Sequence, residues 1–196
     1  STGAGISGVA IIRISGSEAA NVVKSLTGKE IPSPRIATLR KINYINTSEL
    51  IDEGIILWFP GPESYTGEDM AEIHVHGGKA VVLSVQNEIS KVKNCRLAEP
   101  GEFTKLAFQN GKINLLKAES IGDLISAETE IQRLQAIKVM KGKSSKKFNQ
   151  LREKLLKILS FIEAKIDFPE EDLPEENLKK IKNDTTEVLN EINRIL

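Results

Sequence analysis

Residues 58–78 read WFPGPESYTGEDMAEIHVHGG and impose a strand, a loop and a second strand on whatever surrounds them. The apolar run from Gly54 to Phe59 leads in, Pro, Gly and hydroxyl residues fill the middle, and Met70 to His76 alternates on the way out. A period of two places Met70, Glu72, His74 and His76 on one face of the second strand and Ala71, Ile73 and Val75 on the other. A carboxylate and two imidazoles therefore line one side of a sheet, and Gly77-Gly78 lets the backbone turn closely into a helix. That arrangement describes a pocket wall.

Mixed α/β character surrounds this stretch and ends near Gly111. Val9 to Ser15 (VAIIRIS) is a strand with Arg13 on the face of Ile11 and Val9. Ser15 or Ser17 is expected to cap the next helix, which carries Ala19, Val22, Val23 and Leu26 and stops at Gly28. Ile36 to Ile45 and Glu53 to Phe59 are expected to pair as a hairpin about a turn at Asn46 to Ser48. Val81, Val82, Val85, Ile89 and Val92 form the apolar side of a helix, and Cys95 follows beside an expected short strand. Pro100-Gly101 opens a short helix with Phe103, Leu106, Ala107 and Phe108, and Gly111-Lys112 makes a turn.

Beyond that turn only helical periodicity appears. One helix spans 115–127, a second runs from about Thr129 to Phe168 with a bend at Gly142, and Pro169 ends it. Its later part repeats Phe148, Leu151, Leu155, Ile158, Ile162 and Ile166, and a last helix repeats Leu178, Ile181, Thr185, Val188, Ile192 and Ile195, both as bundle seams. The predicted organisation is an α+β domain over residues 1–111, a mixed sheet with helices, followed by an all-α segment over 112–196.

Composition narrows the function classes. Lys plus Arg and Asp plus Glu number 27 each, so no global field draws the chain onto nucleic acid or a membrane. A single cysteine, Cys95, excludes an internal disulfide and a cysteine-based zinc site and fits a reducing cytosol. No apolar stretch approaches the roughly 20 residues of a membrane span, and no signal-peptide pattern opens the chain, so a soluble cytoplasmic protein is expected. The chain starts at Ser1 and stops at Leu196 within a helical pattern, and is read as a piece of something longer.

Each candidate site has a plainer alternative. His74 and His76 share a strand face as metal ligands would, but a catalytic zinc site needs a third well-placed ligand, so hydrogen-bonding roles are favoured. GKS at Gly142 to Ser144 resembles the end of a phosphate-binding loop, yet Ile137 stands where that motif needs glycine, and the segment follows no strand. The acidic group Glu170, Glu171, Asp172, Glu175 and Glu176 suits a solvated loop charging a helix N-terminus. Lys141, Lys143, Lys146 and Lys147 suit an exposed helix face better than an RNA contact. Arg13, Glu72 and Lys112 stand out, the first two because they lie on strands that otherwise read as buried, where a charge needs a partner. That partner is either each other or a polar ligand.

IIRISG (Ile11 to Gly16), DEGIILWFPGPESYTGEDMAEIHVHGG (Asp52 to Gly78), AEPGEFTKLAFQNGKINLLKAESIGDLI (Ala98 to Ile125) and IEAKIDFPEE (Ile162 to Glu171) resemble, in order and over nearly the whole chain, the N-terminal half of the MnmE (TrmE) family of tRNA modification GTPases. The resemblance implies a first domain similar to the folate-binding module of the glycine-cleavage aminomethyltransferase, and a helical domain into which a GTPase domain is inserted. It implies binding of 5-formyl- or methylene-tetrahydrofolate by Arg13 of the IRISG strand, Glu72 four positions before the H-G-G turn, and Lys112 of the N-x-K segment. The loop from Pro60 to Asp69 would close over the ring. A homodimer is implied, as is a flavin-dependent partner of the MnmG type that together with it modifies C5 of the wobble uridine of tRNA. No phosphate-binding loop occurs here, so GTP, K+ and Mg2+ are expected to bind elsewhere. Two other readings use the same residues: a stand-alone folate-dependent one-carbon transferase, and a structural dimerisation module using the helical seams.

Overall fold

Four alternating segments build one sheet, and helices cover a single side of it. The computed structural model describes residues 7–167 and 175–194. Strands β1 (Ser7–Ser15), β2 (Thr38–Asn43), β3 (Leu50–Phe59) and β4 (Met70–Gly77) form a four-stranded sheet in the order β1-β4-β3-β2. Helix α1 (Ala19–Thr27) carries the chain from one sheet edge to the other, and α2 (Lys79–Lys91) leaves the end of β4. The α+β class holds. The sheet expected as mixed is antiparallel in each pairing: β2, β3 and β4 are joined in turn as neighbours without a crossover, and β1 runs antiparallel to β4 at the other edge.

Alternation sorts the side chains into two faces. Ala10, Ile12 and Ile14 of β1, Ile56 and Trp58 of β3, and Ala71, Ile73 and Val75 of β4 meet Ala19, Val22, Val23 and Leu26 of α1 and Val85 of α2 in one core. Leu26, Ile56 and Ile73 are completely buried, and each such side chain contributes about 1.5–3 kcal/mol relative to exposure. All five apolar positions predicted for α2 belong to this core or pack against it. Among the described residues of the first unit, the sheet's core lies on this one side, and no second core forms on the opposite face. There Val9, Leu39 and Ile55 are exposed, which is why Arg13, expected to be buried, is 43% accessible.

Local chemistry sets the ends. Gly28, left-handed at φ 63°, closes α1 as predicted, its N–H donating to the Lys24 carbonyl. The predicted serine cap is not made: Glu18 precedes the helix without a side-chain cap, since Ser15 is engaged elsewhere. The turn between β2 and β3 is stapled to α2 by Glu88, which accepts from Ile45 N–H at 3.0 Å and pairs with Lys91. No strand stands beside Cys95; its backbone N–H donates to Val92 in a loop after α2, and its side chain packs on the core.

Among the described residues five further helices follow: α3 (Glu102–Gln109), α4 (Leu115–Ser126), α5 (Glu130–Met140), α6 (Lys143–Asp167) and α7 (Glu175–Asn193). The chain divides into compact units at Ala118 and Glu119. The predicted bend at Gly142 is a break between α5 and α6, with Gly142 at φ 82°. Within the second unit, α6 and α7 pack through Leu151, Ile158 and Val188, with Ile181 at the margin. Thr129 and Gln132 form a capping box on α5. The six seam positions of α6 do not act together: Leu151 and Ile158 are buried, whereas Phe148, Leu155, Ile162 and Ile166 are 42–70% exposed. Residues 1–6, Pro169, the acids Glu170, Glu171 and Asp172, and Ile195 lie outside the described residues.

A charge cluster on the uncovered sheet face

Register brings the first two predicted residues together. Arg13 on β1 and Glu72 on β4 are direct cross-strand partners, and Arg13 Nε donates to Glu72 Oε1 at 2.7 Å. The other carboxylate oxygen, Oε2, is 3.2 Å from Nε2 of His74, two residues along the same face. Burial raises the Glu72 carboxyl, but hydrogen bonds from Arg13 and His74 outweigh it and hold the group below its usual range. Glu72 is thus an anion at neutral pH, only 13% accessible. Leu57 stands opposite Glu72 on β3, Ile11 and Ile55 stand opposite His74 in the next row, and Phe59 stands opposite Met70 in the row on the other side. Apolar side chains flank a fixed carboxylate, which suits a flat ring with a polar edge.

Gly54 makes this spacing possible. A Cβ on that residue would come within 2.1 Å of the His74 carbonyl oxygen, so only glycine lets β3 lie this close to β4 beside the cluster.

The loop over residues 60–69 is held from several directions. Ser64 donates to the Glu68 carbonyl and accepts from Gly67 N–H at 2.9 Å. Asp69 accepts from Gly61 N–H at 2.9 Å. Ser15, two residues from Arg13, bonds Thr66 at 2.6 Å and Glu68 at 2.9 Å. From the other flank, Asn110 donates to the Thr66 carbonyl at 2.7 Å, and Tyr65 and Thr104 share a 3.0 Å hydrogen bond.

Lys112 reaches the same loop by a different route. Its backbone N–H returns to Ala107 at 2.8 Å and closes α3. Its aliphatic stem rests against Gly67, where a Cβ would lie 3.4 Å from Cγ of the lysine and where φ is 84°. Lys112 makes no ion pair with Glu72 or with any other acid among the described residues. Of the three predicted residues, then, Arg13 and Glu72 touch, and Lys112 meets the loop anchored beside them.

The two histidines turn to different carboxylates. His76 Nδ1 lies 2.8 Å from Asp52 Oδ1, and its backbone N–H donates to Oδ2 at 2.8 Å. Burial raises the Asp52 carboxyl, and the bonds from His76 and the Glu53 backbone more than offset it. Among the described residues no group of three or more His, Cys, Asp or Glu is placed to hold a metal ion. Sequence reading missed Asp52, because its bond to His76 depends on a cross-strand offset that neither strand's own pattern records. It also missed Ser15 and Thr66 as loop anchors, although hydroxyls crowded into SYTGED are the kind of signal that marks such a network.

The fold and the cluster together define an α+β module with an Arg13–Glu72–His74 charge cluster on one sheet face, followed by a helical unit. Residues 1–112 match the family model described as the GTP-binding protein TrmE N-terminus, and residues 115–196 match the MnmE helical domain. The chain is 73% identical over 196 residues to the tRNA modification GTPase MnmE of Pelagibacter ubique (strain HTCC1062), covering 100% of this chain and 44% of that protein. It is 45% identical over 192 residues to the protein of the same name from Rickettsia canadensis (strain McKiel), covering 98% and 43%. The corresponding protein of Parvibaculum lavamentivorans is 40% identical over 192 residues, covering 98% and 44%. The chain belongs to the MnmE (TrmE) family, and it spans less than half the length of these relatives.

Proposed function

We propose that residues 1–111 are a folate-binding and dimerisation domain, and residues 112–196 the first part of a helical domain, of a GTP-hydrolysing tRNA modification enzyme. The observation that carries this reading is the fixed, ionised Glu72 between Arg13 and His74, with Ile11, Ile55 and Leu57 close by on the same sheet face. A reduced pterin presents an amide-like N–H and an amino group along one edge, and a carboxylate can accept from both. The residues present fit that group. Glu72 would take the donor edge, while Arg13 and Lys112 would meet the carbonyl, formyl or glutamate-tail oxygens. Bound, the folate supplies a one-carbon unit.

In the whole protein this unit serves modification of C5 of the wobble uridine, as a homodimer acting with an MnmG-type flavin protein in the cytoplasm. GTP, with K+ and Mg2+, belongs to a GTPase domain that the matched regions do not include. No helix among the described residues is long and apolar enough to cross a membrane.

Titration calorimetry with 5-formyl-tetrahydrofolate tests the reading. Saturable binding by the native chain is expected, weakened at least about tenfold in Glu72→Gln, since one charge-assisted hydrogen bond accounts for that much. A folded native chain that takes up no folate overturns it.

A further inference from the structure

We propose that His74 is a positioning residue for the site: by donating from Nε2 to Glu72 Oε2 while Arg13 donates to Oε1, it turns the carboxylate into a two-acceptor fork for a ligand's paired N–H edge. The proposal rests on the folate reading above and deepens it.

A carboxylate has about four lone-pair positions. Arg13 uses one on Oε1 at 2.7 Å and His74 one on Oε2 at 3.2 Å, which leaves one on each oxygen for a ligand. With Arg13 alone, only one oxygen is restrained, and the group is free to turn about its last torsion, where side-chain preferences are broad. Two restraints on two oxygens remove that freedom. His74 lies opposite Ile11 on β1 and Ile55 on β3, its side chain is 23% accessible, and the close β3–β4 approach that a Cβ at position 54 would prevent sets its backbone beside the cluster. Its neighbour on the same face, His76, is committed to Asp52 and does not compete.

Other titratable and charged groups on this face are Glu53 of β3, Lys41 of β2 and His76 of β4, and the loop adds Glu68, bonded to Ser15. None of them bonds Glu72, whose side-chain hydrogen-bond partners are Arg13 and His74. The acid limb of ligand binding therefore reports Glu72 under the influence of those two.

Two variants separate positioning from packing. His74→Gln places an uncharged N–H donor where Nε2 stands, and His74→Leu fills similar volume without a donor. Using the 196-residue chain and 5-formyl-tetrahydrofolate, His74→Leu should bind about tenfold more weakly at neutral pH, and His74→Gln within about threefold of native. In the ligand-free protein, carbon NMR of the Glu72 carboxyl should titrate at higher pH in the Leu variant than in the native chain, and the acid limit of binding should move up with it. His74→Ala replaces the Leu variant if the latter fails to melt cooperatively. Native-like affinity and an unmoved Glu72 titration in the donor-less variant overturn the proposal, as does a Gln variant no better than Leu. A native chain that binds no folate overturns the parent reading instead, and the NMR titration then decides the His74–Glu72 link by itself.

Discussion

Glu88 and Glu72 illustrate two uses of one side chain. Glu88 is 2% accessible and satisfied by Lys91 and the Ile45 N–H, so it fastens a turn to a helix and faces no solvent-open site. The Lys91 hydrogen bond outweighs burial and lowers its carboxyl from the ordinary 4.5. Because the folded value lies below the unfolded one, this stabilisation is complete above about pH 4.5 and is lost as pH falls through the depressed value. Glu88→Gln should cost about 1 kcal/mol at neutral pH, with half-exposed Lys91 limiting the loss, and the gap to native should close on acidification. Urea unfolding at neutral and acid pH measures both; an unchanged gap contradicts the assignment. Glu102, held to about 2 by the Arg96 guanidinium, has no such buried role. In the sequence, the alternation around Glu72 and the lone charge of Arg13 were legible, because period-two patterning fixes faces. The partners of His76 and Ser15 were not, because they come from residues 24 and 51 or more positions away, aligned by register and loop path.

At the scale of elements, apolar spacing correctly marked the strands, α1 and α2, since a sheet face and a helix stripe each bury a periodic set of residues. It erred where non-periodic contacts decide: the cap of α1 went to Glu18 once Ser15 was drawn to the loop, and α6 buried Leu151 and Ile158 while leaving the adjoining stripe open. Two substitutions test the packing. Gly54→Ala must displace the His74 carbonyl or part β3 from β4, and should cost about 2–4 kcal/mol with loss of thermal stability by circular dichroism. In the second unit, Ile158→Ala should cost about 2–4 kcal/mol, whereas Lys154→Ala should leave the unfolding midpoint nearly unchanged despite removing bonds to Glu187 and Glu191. Comparable losses for the two would show that the helix pair is held by charge and not by its apolar contact.

For the molecule as a whole, the chain matches the N-terminal family model over residues 1–112 and the helical one over residues 115–196. Incubated with GTP, Mg2+ and K+, it should release no phosphate above background; steady turnover would place a nucleotide site in a helical break at Gly142 that offers no strand-to-helix loop. The loop over residues 60–69 bears on how any ligand is received. Stitched within itself and to both Ser15 and Asn110, it has little freedom left to surrender. Uptake of a small molecule here should then resemble docking onto a finished surface, with a modest heat-capacity change and a rate set by encounter instead of by loop folding.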